Sequence, residues 1–326
     1  MNTTSERVGI TLRLKRSSCS LPETGAILIR PLRTFVFLLV SATSMVAYAS
    51  PSQPLSSKNI ETASVSAYVS ELKSGNVVYK KNADVVMPIA SLTKVMTALV
   101  VLDAKQPLKE ALTFDANDKK RIYNNYTRIR MQSQLTRGEA LRIALMSSEN
   151  LASAALADNY PGGHSAFVKA MNKKAKALGM THTRFVDSSG LSPENVSTAA
   201  DVHKMIMAAS KYPEIKKYST TVVHTAYFKK PRYKLAYTNT NALVRGNKWD
   251  ITLSKTGYLD VAGHCLAMIA NIDKQDYVMV TLDAYGKRTP LGDASRIKKW
   301  LTTGDSGDIS DSAEHYQRTK LKALTP

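Results

Sequence analysis

The chain has 326 residues, of which 44% are apolar and 22% charged, a composition typical of a globular protein with one large or two small domains. Its formal net charge of +19 favours an anionic polymer or a membrane surface as a partner. Nucleic acid is disfavoured, because the lysines are spread over the predicted helices and no helix-turn-helix or zinc signature is present.

The chain begins with a predicted export signal. Residues 34–49, TFVFLLVSATSMVAYA, form an apolar run that follows two arginines and ends in the small-residue site Ala47-Tyr48-Ala49. This pattern predicts a signal peptide over residues 1–49, cleaved after Ala49, and the run is short for a membrane span. The segment before the run is longer than a usual n-region, which a start codon further downstream would explain. An uncleaved membrane anchor is the alternative.

Cysteine and histidine usage disfavours disulfide and metal chemistry. Cleavage of the signal would remove Cys19 and leave Cys265 alone, so no disulfide can form within one chain, and Cys265 is predicted to be a small buried hydrophobic residue. The six histidines include no His-Glu-x-x-His motif and no close pair. We therefore predict no metal site and no cofactor, and a metal-dependent peptidase is the disfavoured alternative.

A Ser/Pro-rich, extended lead-in is predicted over residues 50–62, and a folded domain over residues 63–303. The domain opens with two alternating runs around Lys73-Ser74-Gly75, which predict a β-hairpin: SVSAYVSEL and NVVYKKN. A basic, loop-rich segment is predicted at residues 113–137. Helical periodicity indicates helices over residues 90–102, 138–157, 164–178 and 198–209.

Strand-like runs come after the helices: YTNTNALV, ITLSKTG, GHCLAMIANI and YVMVTLDAYG. A last helix is predicted at GDASRIKKWLTT, and residues 304–326 are predicted to be a flexible polar tail. Because the late strands are joined by hairpin-length connections, we predict an α+β fold with a mainly antiparallel sheet flanked by helices. The early hairpin is expected at the edge of that sheet.

Ser91 and Lys94 form a Ser-x-x-Lys pair at the start of the helical run MPIASLTKVMTALVVLD. At this spacing both side chains share one face of a helix. The pair alone is weak support for catalysis, because serine is a favoured N-cap and lysine a favoured helix former. Residues 70–73 and 295–298 match the same pattern.

Two further motifs distinguish residues 91–94 from these other matches. Ser148-Glu149-Asn150 lies in a predicted helix, and Lys255-Thr256-Gly257 ends a predicted strand. Competing matches at residues 57–59 and 73–75 occur in the wrong order along the chain. The ordered set of Ser-x-x-Lys, Ser-x-Asn and Lys-Thr-Gly resembles the motifs of penicillin-binding proteins and class A β-lactamases.

The residue types suit acyl transfer from a peptide to a serine. Ser91 is the expected nucleophile, and it needs a neighbouring base to take its proton. Lys94 can be that base if burial and a second cation, Lys255, lower the pKa of its amine. Ser148 is the expected proton relay to the leaving amine. Asn150 is expected to bind a substrate amide and to orient Lys94.

The third motif suits substrate binding. Lys255 can supply charge and Thr256 a hydroxyl donor to a substrate carboxylate, and Gly257 is expected to let the substrate backbone lie along the strand. An oxyanion hole needs two converging backbone N–H groups, for which Ser91 and Tyr258 are the candidates.

Roughly residues 63–300 resemble the low-molecular-mass penicillin-binding proteins, and among these the D-alanyl-D-alanine endopeptidases. The resemblance is carried by the segments NADVVMPIASLTKVMTALVVLDA, LMSSENLASAALADNYPGG, MNKKAKALGMTHTRFVDSSGLSPENVSTAADV and SKTGYLDVAGHCLAMI. It implies a β-lactamase/transpeptidase-like fold with a helical subdomain, a periplasmic location, and an acyl-enzyme mechanism on peptidoglycan peptides. It also implies β-lactam antibiotics as covalent inhibitors.

The resemblance leads to a predicted serine D,D-endopeptidase that cleaves D-alanyl-diaminopimelate cross-links in peptidoglycan. The alternatives are a D-alanyl-D-alanine carboxypeptidase, which the same motifs would serve, and a non-catalytic wall-binding homologue. Glu194 lies in a GLSPEN context that resembles peptidases, so a fast β-lactamase is disfavoured. The terminal segment EHYQRTKLKALTP has too few apolar residues for an anchor, so we expect at most loose membrane association.

Overall fold

The computed structural model describes residues 60–123, 125–246 and 248–324. The predicted signal peptide, its cleavage site and nearly all of the lead-in lie outside the described residues. Within the described part of the chain, no helix is both long and apolar enough to cross a membrane.

A five-stranded antiparallel sheet organises the fold, in the order β2-β1-β11-β10-β9, and three two-stranded pairs (β3 with β6, β4 with β5, β7 with β8) lie outside it. In the described residues the strands are β1 (Ser66–Glu71), β2 (Val77–Lys81), β3 (Met87–Pro88), β4 (Ala111–Thr113), β5 (Gln134–Thr136), β6 (Val196–Ser197), β7 (Val223–Phe228), β8 (Tyr233–Thr238), β9 (Asp250–Leu259), β10 (Gly263–Ile272) and β11 (Gln275–Ala284). The predicted early hairpin is confirmed as β1 and β2, which form one side of the sheet.

Helices cover both faces of this sheet. The described helices are α1 (Thr93–Asp103), α2 (Ala116–Arg121), α3 (Arg137–Met146), α4 (Asn150–Asp158), α5 (Gly163–Ala177), α6 (Ala199–Ala209), α7 (Pro213–Ser219), α8 (Ala242–Arg245), α9 (Thr289–Thr303) and α10 (Asp311–Leu324). On β10, Ala267 and Ile269 belong to the core of the helical subdomain, whereas Met268 and Ala270 pack with α9. Because both faces are buried, this strand is a continuous apolar run.

Helix α1 is the central helix of the helical subdomain. Every residue from Thr93 to Val101 is buried, and the helix packs against α3, α4, α5 and α6. A helix buried on all sides is expected to be mainly apolar, as the buried part of α1 is apart from Lys94 and its threonines. A 3-10 turn, Ala90–Leu92, precedes α1 and packs against the edge strand β9. The start of α1 is therefore held at the junction of the subdomain and the sheet.

Two predictions of local structure are corrected. The helix predicted over residues 138–157 is split, because α3 ends at Met146 and α4 begins at Asn150, with Ser148 in a left-handed conformation at φ 63°. The last three residues of the predicted strand YTNTNALV lie in the short helix α8, since the Asn241 side chain accepts a hydrogen bond from Leu243 N and so caps a helix.

The prediction of a flexible tail is wrong for residues 311–324, which form α10. Gln317 is buried on this helix, donates through Nε2 to the Thr62 carbonyl at 2.8 Å, and accepts from Lys81 Nζ at 2.7 Å. The Tyr316 hydroxyl donates to Asp283 on β11. Tyr316, Leu321 and Leu324 also pack against the core, so α10 has a short apolar face within a segment whose composition is otherwise polar and charged.

Candidate active site

Ser91 and Lys94 lie on the 3-10 turn and on the first turn of α1. Ala90 has a positive φ of 46°, and the turn sets Ser91 at the helix start, where backbone N–H groups lack helical partners. Lys94 is buried, with 1% of its surface exposed. Its Nζ lies 2.8 Å from Ser91 Oγ and 2.7 Å from Asn150 Oδ1, and it donates to the Ser189 carbonyl.

These three partners favour one orientation of a neutral amine at Lys94. A neutral amine has two N–H donors and one lone pair, and the Asn150 Oδ1 and the Ser189 carbonyl can only accept hydrogen bonds. When they take both donors, the lone pair is left for the Ser91 hydroxyl. Burial lowers the pKa of Lys94 to about 7, against the opposing charges of Asp187 and Glu149. The amine is therefore available as a base near neutral pH.

The loop of residues 187–192, DSSGLS, positions the Ser189 carbonyl. The Asp187 carboxylate accepts hydrogen bonds from the backbone N–H groups of Ser189, Gly190 and Ser192 at 2.6–2.8 Å. Gly190 has φ 84°, and a Cβ there would lie 1.9 Å from the Ala90 carbonyl oxygen. This loop is not among the predicted site residues. Its Asp, Ser and Gly content marks a tight turn, but nothing local connects that turn with Lys94.

The Ser-x-Asn motif lies at the break between α3 and α4. The Glu149 side chain accepts from Leu151 N and so caps α4, while Thr127 Oγ1 donates to the same carboxylate oxygen. Burial raises the pKa of Glu149. At the break, Ser148 Oγ lies 3.0 Å from Lys255 Nζ. Asn150 thus binds Lys94, and Ser148 binds Lys255.

Lys255 is also 1% exposed, and its pKa is lowered well below the usual value by burial first and by the charge of Lys94 second. Next to it, Gly257 lies against the 3-10 turn, where a Cβ would be 3.0 Å from the Ile89 carbonyl oxygen and 3.2 Å from Ser91 N. The expected reason for a glycine was room for substrate backbone. The structure adds a second requirement, because a side chain at residue 257 would crowd the turn that carries Ser91.

The side chains of β9 alternate between two faces of the sheet. Lys255 and Gly257 face Ser148 and the 3-10 turn. Thr256 and Tyr258 face the other way: Thr256 Oγ1 lies 2.6 Å from Thr240 Oγ1, and Tyr258 stacks on His264 with ring centroids 4.3 Å apart. The strand is the edge of its sheet, so its free side is open to an extended ligand.

A cleft of about 940 Å³ runs along this edge and is lined by Ser91, Ser148, Asn150, Thr256, Gly257 and Tyr258 among others. Lys94 and Lys255 lie buried behind its wall and contact lining residues. The structure therefore brings all eight predicted site residues to one cleft. Such an arrangement can accept a serine proton, offer the Thr256 hydroxyl to a substrate carboxylate, and hold an extended peptide along β9.

The other candidates for reactivity are buried side chains. Of these, Cys265 lies next to Gly257 at the cleft, whereas Ser70 does not line it. Ser70 of the competing Ser-x-x-Lys match lies in β1, is buried, and has its Oγ 2.6 Å from His203 Nε2. Burial raises the pKa of the Cys265 thiol to about 12. Among the described residues, no group of three or more His, Cys, Asp or Glu side chains is suited to hold a metal ion.

Comparison with known proteins connects this cleft with a family. A family profile described as D-alanyl-D-alanine carboxypeptidase matches residues 49–286. The chain is 45% identical over 291 residues to the D-alanyl-D-alanine endopeptidase of Pseudomonas aeruginosa, covering 89% of this chain and 94% of that protein. It is 46% identical over 264 residues to the D-alanyl-D-alanine endopeptidase of Escherichia coli K12, covering 81% and 85%.

The fold is also similar to that of a solved mutant of the Streptomyces K15 DD-transpeptidase. The TM-score is 0.70 at 26% sequence identity, over 74% of this chain and 98% of that chain. The predicted α+β, transpeptidase-like fold is thereby confirmed.

Proposed function

The chain belongs to the D-alanyl-D-alanine carboxypeptidase family of serine-type peptidases, and from this premise we propose that it is a D,D-endopeptidase acting through an acyl-enzyme on Ser91. The proposed substrate is the D-alanyl-diaminopimelate cross-link of peptidoglycan. The observation that carries the proposal is the placement of Lys94 Nζ between two pure acceptors and the Ser91 hydroxyl. The endopeptidase names of the relatives from Pseudomonas aeruginosa and Escherichia coli support the subtype.

In the acylation step, Ser91 Oγ attacks the D-alanyl carbonyl carbon while its proton passes to Lys94 Nζ. The new C–O bond creates an oxyanion, which the backbone N–H groups of Ser91 and Tyr258 are proposed to bind. When the C–N bond breaks, the leaving amine takes a proton from Lys94 through the Ser148 hydroxyl. Lys94 returns to the neutral amine, and an ester remains on Ser91.

In the deacylation step, water attacks the ester carbonyl while Lys94 takes the proton of the water. The ester C–O bond breaks, Ser91 Oγ regains a proton from Lys94, and the D-alanyl peptide leaves as a free acid. Asn150 is proposed to bind an amide of the acyl peptide and to hold Lys94. Lys255 and Thr256 are proposed to bind the carboxylate beside the scissile bond, and Gly257 to keep the strand close to the 3-10 turn.

The same chemistry predicts covalent inhibition by β-lactams. Ser91 would open the lactam ring and form an ester, and the lactam nitrogen, still tethered, could not diffuse away as a leaving amine does. The protein is proposed to act in the periplasm after export by the predicted signal peptide of residues 1–49. The domain proposed to do this work covers residues 63–303, after a short lead-in over residues 50–62.

A D-alanyl-D-alanine carboxypeptidase is the second candidate, favoured by the description of the matching family. The experiment that separates the two is a digest of cross-linked muropeptide dimers with the wild type and with Ser91→Ala. Conversion of dimers to monomers by the wild type alone supports the endopeptidase. Release of terminal D-alanine with dimers left intact would replace it by the carboxypeptidase. Mass spectrometry after penicillin exposure, with no adduct on Ser91, would support the non-catalytic alternative.

A further inference from the structure

The cleft does not end at the nucleophile. It continues over the edge of β9 onto the face of the sheet that α9 covers, and we call this part the far lobe, lined by Arg245, Tyr258, His264, Leu266, Lys287 and Leu291. The alternation of β9 produces this geometry, because Thr256 and Tyr258 face the far lobe while Lys255 and Gly257 face Ser91. Thr256 therefore stands at the boundary between the two parts of the cleft.

The far lobe combines an apolar floor with a cationic rim. Leu266 belongs to the apolar cluster beneath α9, whereas Arg245 and Lys287 are both exposed. Arg245 donates to the Asn239 carbonyl, which holds it beside Thr240 and so beside Thr256. Lys287 lies close enough to His264 for its charge to lower the pKa of that imidazole, after the larger effect of burial.

These cations have no acidic partner in the described part of the chain. Neither Arg245 nor Lys287 forms a salt bridge there, and the cleft lining contains no Asp or Glu. The nearby Asp260 instead accepts a hydrogen bond from the Tyr258 hydroxyl. Two unpaired cations above an apolar floor suit an anionic ligand with apolar side chains, and charge-assisted hydrogen bonds would carry its recognition.

The two candidate reactions differ in the group on the leaving side of the scissile bond. A carboxypeptidase releases one D-alanine, which ends at the proposed Lys255–Thr256 carboxylate site. An endopeptidase releases a second stem peptide. The diaminopimelate carboxylate of that stem would take the proposed Lys255–Thr256 site, and the stem continues beyond Thr256 with further free carboxylates on its glutamate and terminal alanine residues. We propose that the far lobe binds this second stem peptide through its carboxylates, with Arg245 and Lys287 as specificity-determining residues. The proposal rests on the endopeptidase function proposed above.

The test compares Arg245→Ala/Lys287→Ala with a control that removes the same charge elsewhere. Lys169→Ala/Lys176→Ala serves as that control, because both lysines are exposed on α5, which does not line the cleft. Arg288, a third cation of the lining, stays in place in every variant because it is the N-cap residue of α9. The substrates are a cross-linked muropeptide dimer, the same dimer with only the glutamate and terminal alanine carboxylates of its second stem amidated, and penicillin.

We expect kcat/KM for the dimer to fall by about tenfold in Arg245→Ala/Lys287→Ala, the loss expected for two solvent-exposed charge contacts. Penicillin, which has no second stem, should acylate Ser91 at close to the wild-type rate. The wild type should cleave the amidated dimer with a kcat/KM lowered by a similar factor. The double variant should cleave the amidated dimer and the unmodified dimer equally slowly. The control on α5 should cleave the dimer as the wild type does.

Three outcomes would overturn the proposal: an unchanged kcat/KM for the dimer, an equal loss with the amidated dimer, or a parallel loss of penicillin acylation. The last would show that the substitutions disturb the nucleophile. Failure of the endopeptidase function is recognised separately, since the wild type would then acylate with penicillin but leave dimers intact.

Discussion

Ser148 Oγ lies 3.0 Å from Lys255 Nζ, and it reaches that position from a backbone with φ 63°. A left-handed conformation is unfavourable for a residue with a Cβ, by about 1–2 kcal/mol. The helices on either side keep Ser148 in this conformation, since α3 ends at Met146 and Glu149 caps α4. Strain at a residue proposed to move protons is typical of functional sites.

The variants Ser148→Gly and Ser148→Ala should therefore distinguish the backbone strain at residue 148 from the role of its hydroxyl in proton transfer. Both variants lose the hydroxyl, so both should acylate with penicillin about 100-fold more slowly than the wild type, the usual size of a proton-transfer contribution. Only glycine relieves the backbone strain, so Ser148→Gly should be more stable than Ser148→Ala by about 1 kcal/mol in denaturant unfolding. Equal stabilities of the two variants would refute the strain, and rapid acylation of either would refute the relay.

The acylation rate should rise with pH through about 7. Below the pKa of Lys94, which burial lowers to about 7, the amine carries a proton and cannot take one from Ser91. Each pH unit below that value should reduce the second-order rate of penicillin acylation about tenfold, and the rate should level off above it. A rate that changes only above pH 9 would exclude Lys94 as the base.

Asp187→Asn should move this pH profile to lower pH. The negative charge of Asp187 favours the protonated lysine and so raises the pKa of Lys94, which means that its removal lowers that pKa. The midpoint of the acylation profile should therefore fall below 7. The substitution also disturbs hydrogen bonds to Ser189, Gly190 and Ser192, so we expect a loss of about 1–3 kcal/mol in stability. A midpoint shifted to higher pH would contradict the electrostatic argument.

The three motifs and the late strands could be predicted because their signals are local. The order of Ser91, Ser148 and Lys255 motifs along the chain, and the apolar runs of β10 and β11, are properties of short segments. The position of β9 at the sheet edge beside Ser91 follows from the same local signals. The short connections pair β9 with β10 and β10 with β11, which leaves β9 with one neighbouring strand.

The features that could not be predicted depend on contacts between distant segments. Lys94 donates a hydrogen bond to the backbone carbonyl of Ser189, which lies 95 residues further along the chain. Every residue has a backbone carbonyl, so the residue type at 189 does not reveal this contact. The left-handed Ser148 interrupts a helical pattern that has no glycine or proline to reveal the break. The far lobe depends on which residues of β9 and β10 share a face, and this register exists only once the strands pair.

Gly190→Ala should disable the site through sterics, because a Cβ would lie 1.9 Å from the Ala90 carbonyl oxygen at a φ of 84°. Gly179→Ala is the matched control: its φ is 69°, but a Cβ there meets nothing within 4 Å. The control should lose only about 1–2 kcal/mol from backbone strain. Gly190→Ala should lose several kcal/mol more in unfolding experiments, and penicillin acylation with it. Similar losses for both alanine variants would show that the close approach is unimportant.

Gln317→Ala should destabilise the domain without changing the nucleophile. The Gln317 side chain is buried on α10, where it donates to the Thr62 carbonyl and accepts from Lys81 Nζ, so its removal leaves the Lys81 amine with one fewer partner. We expect a loss of about 1–3 kcal/mol in the free energy of unfolding, because a buried polar group would be left without its hydrogen-bond partner.

Arg318→Ala on the same helix is the control. It removes only an exposed ion pair with Glu314 and should cost less than about 0.5 kcal/mol. Both variants should acylate with penicillin at the wild-type rate, since α10 contributes no residue to the cleft lining. Equal stability of the two variants would mean that α10 is not docked through Gln317, and loss of acylation in Gln317→Ala alone would connect this helix with the active site.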